Sequence, residues 1–343
     1  MEGINVTLGK TNITVNKNGF GALPIQRIPE KEAVYLLHKA YAGGIRFFDT
    51  ARFYTDSEEK IGKAFKGMRD KVIITSKTMA QDASGFRDDL ETTLRKLQTD
   101  YLDIYQFHNP GSCPKPEDKS GLYEAMTDAV KKGYVQHVGI TNHRLAVAHE
   151  AIDSGLYETL QFPFCYLSGE KELELVRKCE TNNMGFIAMK ALSGGLITNA
   201  AAAYAFLAQY KNVLPIWGIQ RLDELHEFLE YIASPPSMNR RLTEHIERDK
   251  NMLQGDFCRG CGYCMPCPVD IEINTCARMF LLLRRSPAAL QLTKEVQEKM
   301  KKTEDCIRCD RCKEKCPYGL DTPILLQKNY EDYKNVLAGK IIV

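Results

Sequence analysis

Two runs of cysteine near the C-terminal end are the residues most suited to metal chemistry. The first contains Cys258, Cys261, Cys264 and Cys267, followed by Pro268; the second contains Cys306, Cys309, Cys312 and Cys316, followed by Pro317. Three thiolates on one tight loop can bind three irons of a [4Fe–4S] cubane, whereas a zinc site usually takes two separated C-x2-C pairs. Disulfides are disfavoured in a reducing compartment. The spacing predicts iron–sulfur clusters, with zinc as the alternative.

The spacing of the second run, C-x2-C-x2-C-x3-C-P, is that of bacterial ferredoxins, and the first run is one residue shorter before its last cysteine. In two-cluster ferredoxins the fourth cysteine of each run binds the cluster of the other run. This rule predicts two [4Fe–4S] clusters. One is held by Cys258, Cys261, Cys264 and Cys316, and the other by Cys306, Cys309, Cys312 and Cys267.

Four further residues suit acid–base chemistry on a carbonyl group: Asp49, Tyr54, Lys77 and His108. A tyrosine with its ordinary pKa near 10 is a poor acid at neutral pH, and a neighbouring ammonium favours the phenolate. Lys77 can supply this charge beside Tyr54. Asp49 would hold Lys77, and His108 would orient the substrate carbonyl. Each residue alone has a structural explanation, such as a helix cap or a surface lysine, but their order and positions after strands indicate a catalytic tetrad.

Alternating strand and helix patterns must position these side chains. Strands are predicted at 45–48, 72–75, 101–107, 135–140, 186–189 and 213–216. Helices are predicted at 31–42, 57–66, 85–97, 121–132, 145–154, 170–181, 200–210 and 222–231. Repeated strand–helix units favour an α/β fold, a closed (β/α)8 TIM barrel, over a doubly wound open sheet. Asp49, Lys77 and His108 then lie at the carboxyl ends of strands, which form the catalytic face of such a barrel.

The chain changes character at Ser234-Pro235-Pro236-Ser237, because adjacent prolines cannot continue a helix. We predict a barrel over residues 1–236 and a small, mostly helical, ferredoxin-like domain over residues 237–343, beginning with a helical connector at 240–253. The four remaining cysteines lack ligand spacing and are predicted to be small buried hydrophobes: Cys113, Cys165, Cys179 and Cys276.

Composition indicates a globular protein of the cytoplasm. The 343 residues are 44% hydrophobic and 26% charged, and the formal net charge of +2 gives no reason to expect a nucleic-acid partner. The first ten residues have no apolar core of the signal-peptide type, and we find no apolar stretch of membrane-spanning length. Cysteines are numerous, 12 in all, which in such a compartment favours metal or redox chemistry.

An ordered set of motifs resembles the aldo-keto reductase family over roughly residues 5–230. The motifs are DTARFY at 49–54, SEEKIG at 57–62, ITSK at 74–77, LQTDYLDIYQFH at 97–108 and GITN at 139–142. With the cysteine module, the chain resembles an iron–sulfur subgroup that carries a C-terminal domain with two [4Fe–4S] clusters. The resemblance implies NADPH-linked reduction of a small carbonyl compound, or the reverse reaction, with Tyr54 as the general acid.

The resemblance also implies a nucleotide site across the barrel mouth. It places Thr141, Asn142 and Gln161 at the nicotinamide carboxamide and Met189 where an aromatic ring is common. Leu192, Gly194 and Gly195 would form the strap over the pyrophosphate. Gly21, Gln220 and Arg221 complete the predicted cofactor contacts.

Two departures concern the 2′-phosphate and the adenine. Glu224 stands where a phosphate-binding residue is common, and Phe228 stands where an asparagine contacts adenine. NADH therefore remains an alternative to NADPH. The sequence also leaves open a flavin-coupled or ferredoxin-coupled reductase, in which an electron carrier feeds the clusters, and a non-catalytic electron-transfer or sensor protein.

Overall fold

The computed structural model describes residues 5–253, 257–285 and 288–343. These residues divide into two compact units. The first contains the chain up to Ala191 together with Ala200–Thr243, and the second contains Leu192–Asn199 and Glu244–Val343. The division after Thr243 lies a few residues beyond the predicted boundary, and the structure groups Leu192–Asn199 with the C-terminal unit instead of the barrel.

The first unit is built around parallel strands. A hairpin of β1 (Asn5–Thr7) and β2 (Thr14–Asn16) precedes them. The barrel strands follow: β3 (Gly19–Gly21), β4 (Phe47–Asp49), β5 (Ile73–Thr78), β6 (Leu102–His108), β7 (Val135–Thr141), β8 (Thr159–Pro163), β9 (Gly185–Met189) and β10 (Val213–Gly218). They pair in the order β10-β3-β4-β5-β6-β7-β8-β9 and close on themselves. This closed barrel confirms the predicted TIM fold and excludes the open sheet.

A helix follows each barrel strand. These are α1 (Glu30–Ala42), α2 (Ser57–Ala64), α3 (Ala83–Leu97), α4 (Leu122–Lys131), α5 (Leu145–Ser154), α6 (Glu170–Thr181), α7 (Ala200–Ala208) and α8 (Leu222–Ala233). Short 3-10 turns lie at Pro24–Arg27 and Arg69–Lys71. Inside the barrel, Val6, Leu8 and Val15 of the hairpin segment pack against residues near the strand starts, such as Phe47 and Ile104. The hairpin therefore closes the amino-terminal end and leaves the carboxyl-terminal end for a site.

Two barrel strands were not predicted. Gly19–Gly21 forms the strand β3, and Thr159–Pro163 forms the strand β8. A side chain at Gly21 would place its Cβ 3.1 Å from the carbonyl oxygen of Trp217 on the paired strand. Because glycine has no Cβ, β3 and β10 can approach closely here. Glycine is uncommon in strands, so the sequence pattern did not indicate one.

The second unit is mostly helical, as predicted. Its helices are α9 (Arg240–Met252, in which the division falls), α10 (Ile273–Cys276), α11 (Met279–Arg285), α12 (Ala288–Gln291), α13 (Lys294–Lys301), α14 (Arg311–Glu314) and α15 (Thr322–Leu337), with a 3-10 turn at Lys302–Asp305. Its core includes Ile271, Met279, Met300 and Tyr333. Within the described ranges, none of the helices combines the length and apolar character that crossing a bilayer demands.

Candidate active site and iron–sulfur ligands

Adjacent strands bring the predicted tetrad together at the carboxyl-terminal end of the barrel. Asp49 ends β4, Lys77 lies near the end of β5, and His108 ends β6. Lys77 pairs in register with Gln106, two residues before His108. Tyr54 follows in the loop between β4 and α2, where its amide donates to the carbonyl of Ala51.

Lys77 and Asp49 form a buried ion pair. The Lys77 Nζ lies 2.6 Å from Asp49 Oδ1 and 2.6 Å from the carbonyl oxygen of Thr50, to which it donates. Only 1% of the Lys77 surface is exposed. Burial raises the pKa of Asp49 and lowers the pKa of Lys77, and the attraction between the two charges opposes both shifts. A buried pair of this kind holds a cation at a fixed place in a low-dielectric site.

The rings of Tyr54 and His108 pack against each other close to this ion pair. Their centroids are 6.0 Å apart with the planes at 84°, and Lys77 Nζ lies 5.4 Å from the centroid of the Tyr54 ring. Burial, aided by the charge of Lys77, lowers the pKa of His108 to about 3. His108 is therefore a neutral imidazole near pH 7, able to hydrogen-bond a carbonyl group but not to protonate it as an imidazolium.

The neutral state of His108 predicts acid sensitivity of the fold. Its pKa of about 3 in the folded chain lies below the ordinary value of 6.5, so at mildly acidic pH only the unfolded chain takes up this proton. The free energy of unfolding therefore falls as the pH falls below about 6.5 toward 3. Between pH 7 and about 5.5, His108 alone should lower it by about 1 kcal/mol. We expect His108→Gln to flatten this decline in anaerobic urea titrations. The exposed His226→Gln should keep the wild-type pH dependence, and an equal decline in His108→Gln would contradict the assignment.

A chain of buried amides supports Asp49 from the opposite side. Gln161 donates to Asp49 Oδ2 at 3.4 Å and accepts from Gln106 Nε2 at 2.8 Å; the same Gln106 nitrogen donates to Thr75 Oγ1 at 2.9 Å. Gln106 was not predicted as a site residue, although it shares the inward face of β6 with His108, two residues away. The predicted nicotinamide contact Gln161 thus already has partners at both ends of its amide.

The other predicted nicotinamide residues fall into two groups. Thr141 and Met189 lie together, with Thr141 Oγ1 3.7 Å from the Met189 sulfur. The amide of Asn142 instead holds the loop after β7. Its nitrogen donates to the carbonyl of Pro110, and its oxygen accepts from the amides of His143 and Arg144.

The only arginine just before α8, Arg221, forms ion pairs with two nearby carboxylates. Arg221 is paired with Glu224 at 2.9 Å and with Asp223 at 3.1 Å. Glu224 also accepts from the backbone amides of Gln220 and Arg221, which fixes it at the start of the helix. Phe228 is buried and stacks on Trp217 with centroids 4.3 Å apart, so its ring belongs to the core.

The glycine-rich loop Leu192–Asn199 turns sharply through three successive residues. Ser193, Gly194 and Gly195 all have positive φ angles. Gly195 has open space where a Cβ would lie. The amides of Gly195 and Ile197 both donate to the carbonyl oxygen of Leu192, so the phosphate-binding role of this loop stays a prediction.

The first cysteine set gathers around Cys258. Burial raises the pKa of the Cys258 thiol, and Cys261 and Cys316 are close enough to raise it further. Burial also raises the pKa of Cys264 to about 12, with added effects of Cys258 and Cys261. Thiolates placed together out of water need a cation, which the iron of a cluster supplies. Cys316 thus lies near the first run, and its role as the fourth ligand of that cluster stays a prediction.

The second set surrounds a cavity. Cys306, Cys309 and Cys312 line it together with two cysteines of the first run, Cys264 and Cys267. Cysteines of both runs thus lie together, and the assignment of Cys267 to the second cluster stays a prediction. Across the described ranges, no three metal-binding side chains converge on one point as a single ion would require. A cubane does not require such convergence, because each thiolate binds a different iron. Cys113, Cys165, Cys179 and Cys276 are buried, as predicted for core residues.

A parallel barrel with ionisable groups at its carboxyl-terminal end, joined to a cysteine-rich helical unit, defines the general class of TIM-barrel redox proteins with an iron–sulfur module. The aldo/keto reductase family model matches residues 17–202, and a 4Fe-4S dicluster domain model matches residues 257–321. The chain belongs to the aldo/keto reductase family and carries a C-terminal 4Fe-4S dicluster domain.

Curated relatives resemble parts of the barrel. Methylglyoxal reductase DkgA of Salmonella typhimurium is 33% identical over 134 residues, which are 38% of this chain and 48% of that protein. Aldo-keto reductase YhdN of Bacillus subtilis is 28% identical over 211 residues, 56% of this chain and 63% of that protein. The chain thus spans about half to two thirds of the length of these relatives.

Solved structures show the same barrel. The aldo-keto reductase from Klebsiella pneumoniae in complex with NADPH superposes with a TM-score of 0.62 at 23% identity, over 71% of this chain and 94% of that one. The holo form of aldo-keto reductase AKR11C1 from Bacillus halodurans gives a TM-score of 0.63 at 18% identity, over 71% of this chain and 95% of that one. At these identities the likeness concerns the fold.

Proposed function

We propose that the barrel catalyses NAD(P)H-linked reduction of a small aldehyde or ketone, or the reverse oxidation. The observation that carries this proposal is the meeting of Tyr54, the buried Lys77–Asp49 pair and a neutral His108. Family membership and the NADPH in the Klebsiella structure support the nucleotide. The name of the DkgA relatives makes methylglyoxal a sensible first substrate to test.

The four side chains have separate tasks in this reaction. His108 hydrogen-bonds the carbonyl oxygen and fixes its position, while Tyr54 gives its hydroxyl proton to that oxygen. Lys77 stabilises the phenolate that remains, because a nearby cation favours the charged form of tyrosine. Asp49 fixes Lys77, and Gln161 with Gln106 fixes Asp49. The bound nucleotide supplies the hydride that reaches the carbonyl carbon.

The nucleotide preference follows from Arg221 and its two carboxylate partners. A guanidinium already balanced by Asp223 and Glu224 gives a 2′-phosphate little net attraction. We therefore expect the wild-type kcat/KM for NADH to equal or exceed that for NADPH. Glu224→Gln keeps an oxygen for the backbone amides but removes a negative charge, so kcat/KM for NADPH should rise by about tenfold.

Steady-state assays with both nucleotides and methylglyoxal test this expectation and the proposed activity together. The matched control is Glu230→Gln, which removes an exposed carboxylate from the same helix and should change neither constant. A strong NADPH preference in the wild type would contradict the local charge argument. No oxidation of either nucleotide with any of a panel of small carbonyl compounds would contradict the proposed function.

The cluster unit favours a second candidate function, electron exchange with a carrier protein. Cys309 is exposed, so the proposed cluster of the second run has a ligand at the surface. The neighbouring Ile307, Arg308 and Arg311 are exposed as well. Redox encounters are commonly small and guided by charge. Arg308 and Arg311 outweigh the exposed Asp310 between them, so this edge suits an acidic one-electron carrier. In this alternative the clusters, not the nucleotide, feed electrons to a reduction that still takes its proton from Tyr54.

A further inference from the structure

Arg278, between α10 and α11, makes a contact that no sequence motif predicts. Its Nη2 donates to the carbonyl oxygen of Gly194 at 2.6 Å, within the second unit. Gly194 belongs to the glycine-rich loop Leu192–Asn199. The side chain of Arg278 therefore ties this loop to the cysteine-bearing part of the same unit.

Two glycines make room for the guanidinium. A Cβ at Gly194 would lie 3.1 Å from Arg278 Nη1, and a Cβ at Gly260 would collide with the same atom. Gly260 lies inside the first cysteine run, and its amide donates to the Cys258 sulfur at 3.4 Å. Arg278 is thus held between the loop and the segment that carries Cys258.

The charge of Arg278 acts on Cys258. Its guanidinium lies against Gly260, two residues from Cys258, so its positive charge is close to the segment that would hold the cluster. The buried Nε of Arg278 donates to no atom of the described residues, which leaves it available to an acceptor on a bound group. A cluster held by Cys258 would gain one negative charge on one-electron reduction, and this gain would strengthen its attraction for the guanidinium.

We propose that Arg278 couples the redox state of the cluster at Cys258 to phosphate binding by the loop Leu192–Asn199. Reduction draws the guanidinium toward the cluster and weakens its bond to Gly194, so the loop loses the conformation that receives a pyrophosphate. By linkage, a bound pyrophosphate disfavours reduction by the same factor. Arg278 is a positioning residue in this account, which rests on the nucleotide-binding part of the proposed function.

The test uses the anaerobic holoprotein and ADP-ribose, which has the pyrophosphate of NADH but no nicotinamide to accept electrons. The midpoint potentials of the clusters are measured by dithionite titration with electron paramagnetic resonance, with and without ADP-ribose. Calorimetry gives the Kd of ADP-ribose for the oxidised and the reduced protein. We expect one potential to fall with ligand, and the reduced protein to bind ADP-ribose on the order of tenfold more weakly.

Arg278→Gln should lower that same potential without ligand and abolish the ligand-dependent shift. Arg284→Gln, which removes an arginine of the neighbouring helix α11 that is paired with Asp332, is the matched control and should behave as wild type. An undiminished shift in Arg278→Gln, or binding without any shift in the wild type, would overturn the coupling alone. Absence of ADP-ribose binding to the oxidised wild type would overturn the coupling together with the proposed nucleotide site.

Discussion

Tyr54→Phe is expected to lower kcat for carbonyl reduction by about 10²–10⁴-fold, the usual size of a general-acid contribution. The change removes one hydroxyl and keeps the ring that packs edge-on against His108. Because His108 is neutral near pH 7, it cannot replace the lost proton donor. Initial rates of nucleotide oxidation with saturating methylglyoxal measure the loss. The affinity for the nucleotide should change by no more than about twofold, because the lost hydroxyl acts in the transition state and not in binding the nucleotide.

A matched variant separates the reaction from general effects of losing a hydroxyl. Tyr35→Phe, on the exposed face of α1, should keep the wild-type kcat. A loss of less than about tenfold in Tyr54→Phe would show that another group supplies the proton, because general-acid contributions exceed that size.

Asp49→Asn is expected to destabilise the protein by about 3–5 kcal/mol, because it leaves the Lys77 ammonium buried without its counter-ion. Replacing both members of a buried pair by neutral side chains costs far less. Asp49→Asn combined with Lys77→Met should therefore recover most of the stability while remaining inactive. Anaerobic urea unfolding of the single and double variants measures both effects.

The two variants together distinguish an ion pair from ordinary packing. A single variant that loses less than about 1 kcal/mol would show that Lys77 adapts by losing its proton or reaching water. A double variant as unstable as the single one would show that the loss comes from shape and not from charge. Recovery of stability without activity is the result that the geometry predicts.

The tetrad was predictable because each member follows a recognisable strand pattern. Val72 to Thr75 reads as a strand, and a parallel barrel must then bring Lys77 to the same end as Asp49 and His108. The ferredoxin spacing likewise indicated that the cysteines of the two runs would gather, and members of both runs line one cavity in the structure. Which cysteines share a cluster stays a prediction. The role of each residue in turnover stays a prediction.

The features that sequence reasoning missed depend on contacts between distant segments. The strands β3 and β8 are short, and glycine or proline in them weakens the strand pattern. The bond between Arg278 and Gly194 joins residues far apart in the chain, and no spacing reveals it. The sequence showed only that Glu224 stands where a phosphate-binding residue is common. The structure shows that it is paired with Arg221.

In the proposed reaction, hydride passes directly from the nicotinamide to the substrate carbon at the Tyr54 site. The most direct measurement is the isotope content of the product after turnover in ordinary water with NADH or NADPH that carries deuterium at both hydrogens of nicotinamide C4. The substrate is methylglyoxal or the best substrate of the carbonyl panel. We predict that mass spectrometry will find deuterium in the new C–H bond of the product. Hydrogen from solvent at that carbon would contradict the claim, because electrons delivered singly through the clusters leave the proton to come from water.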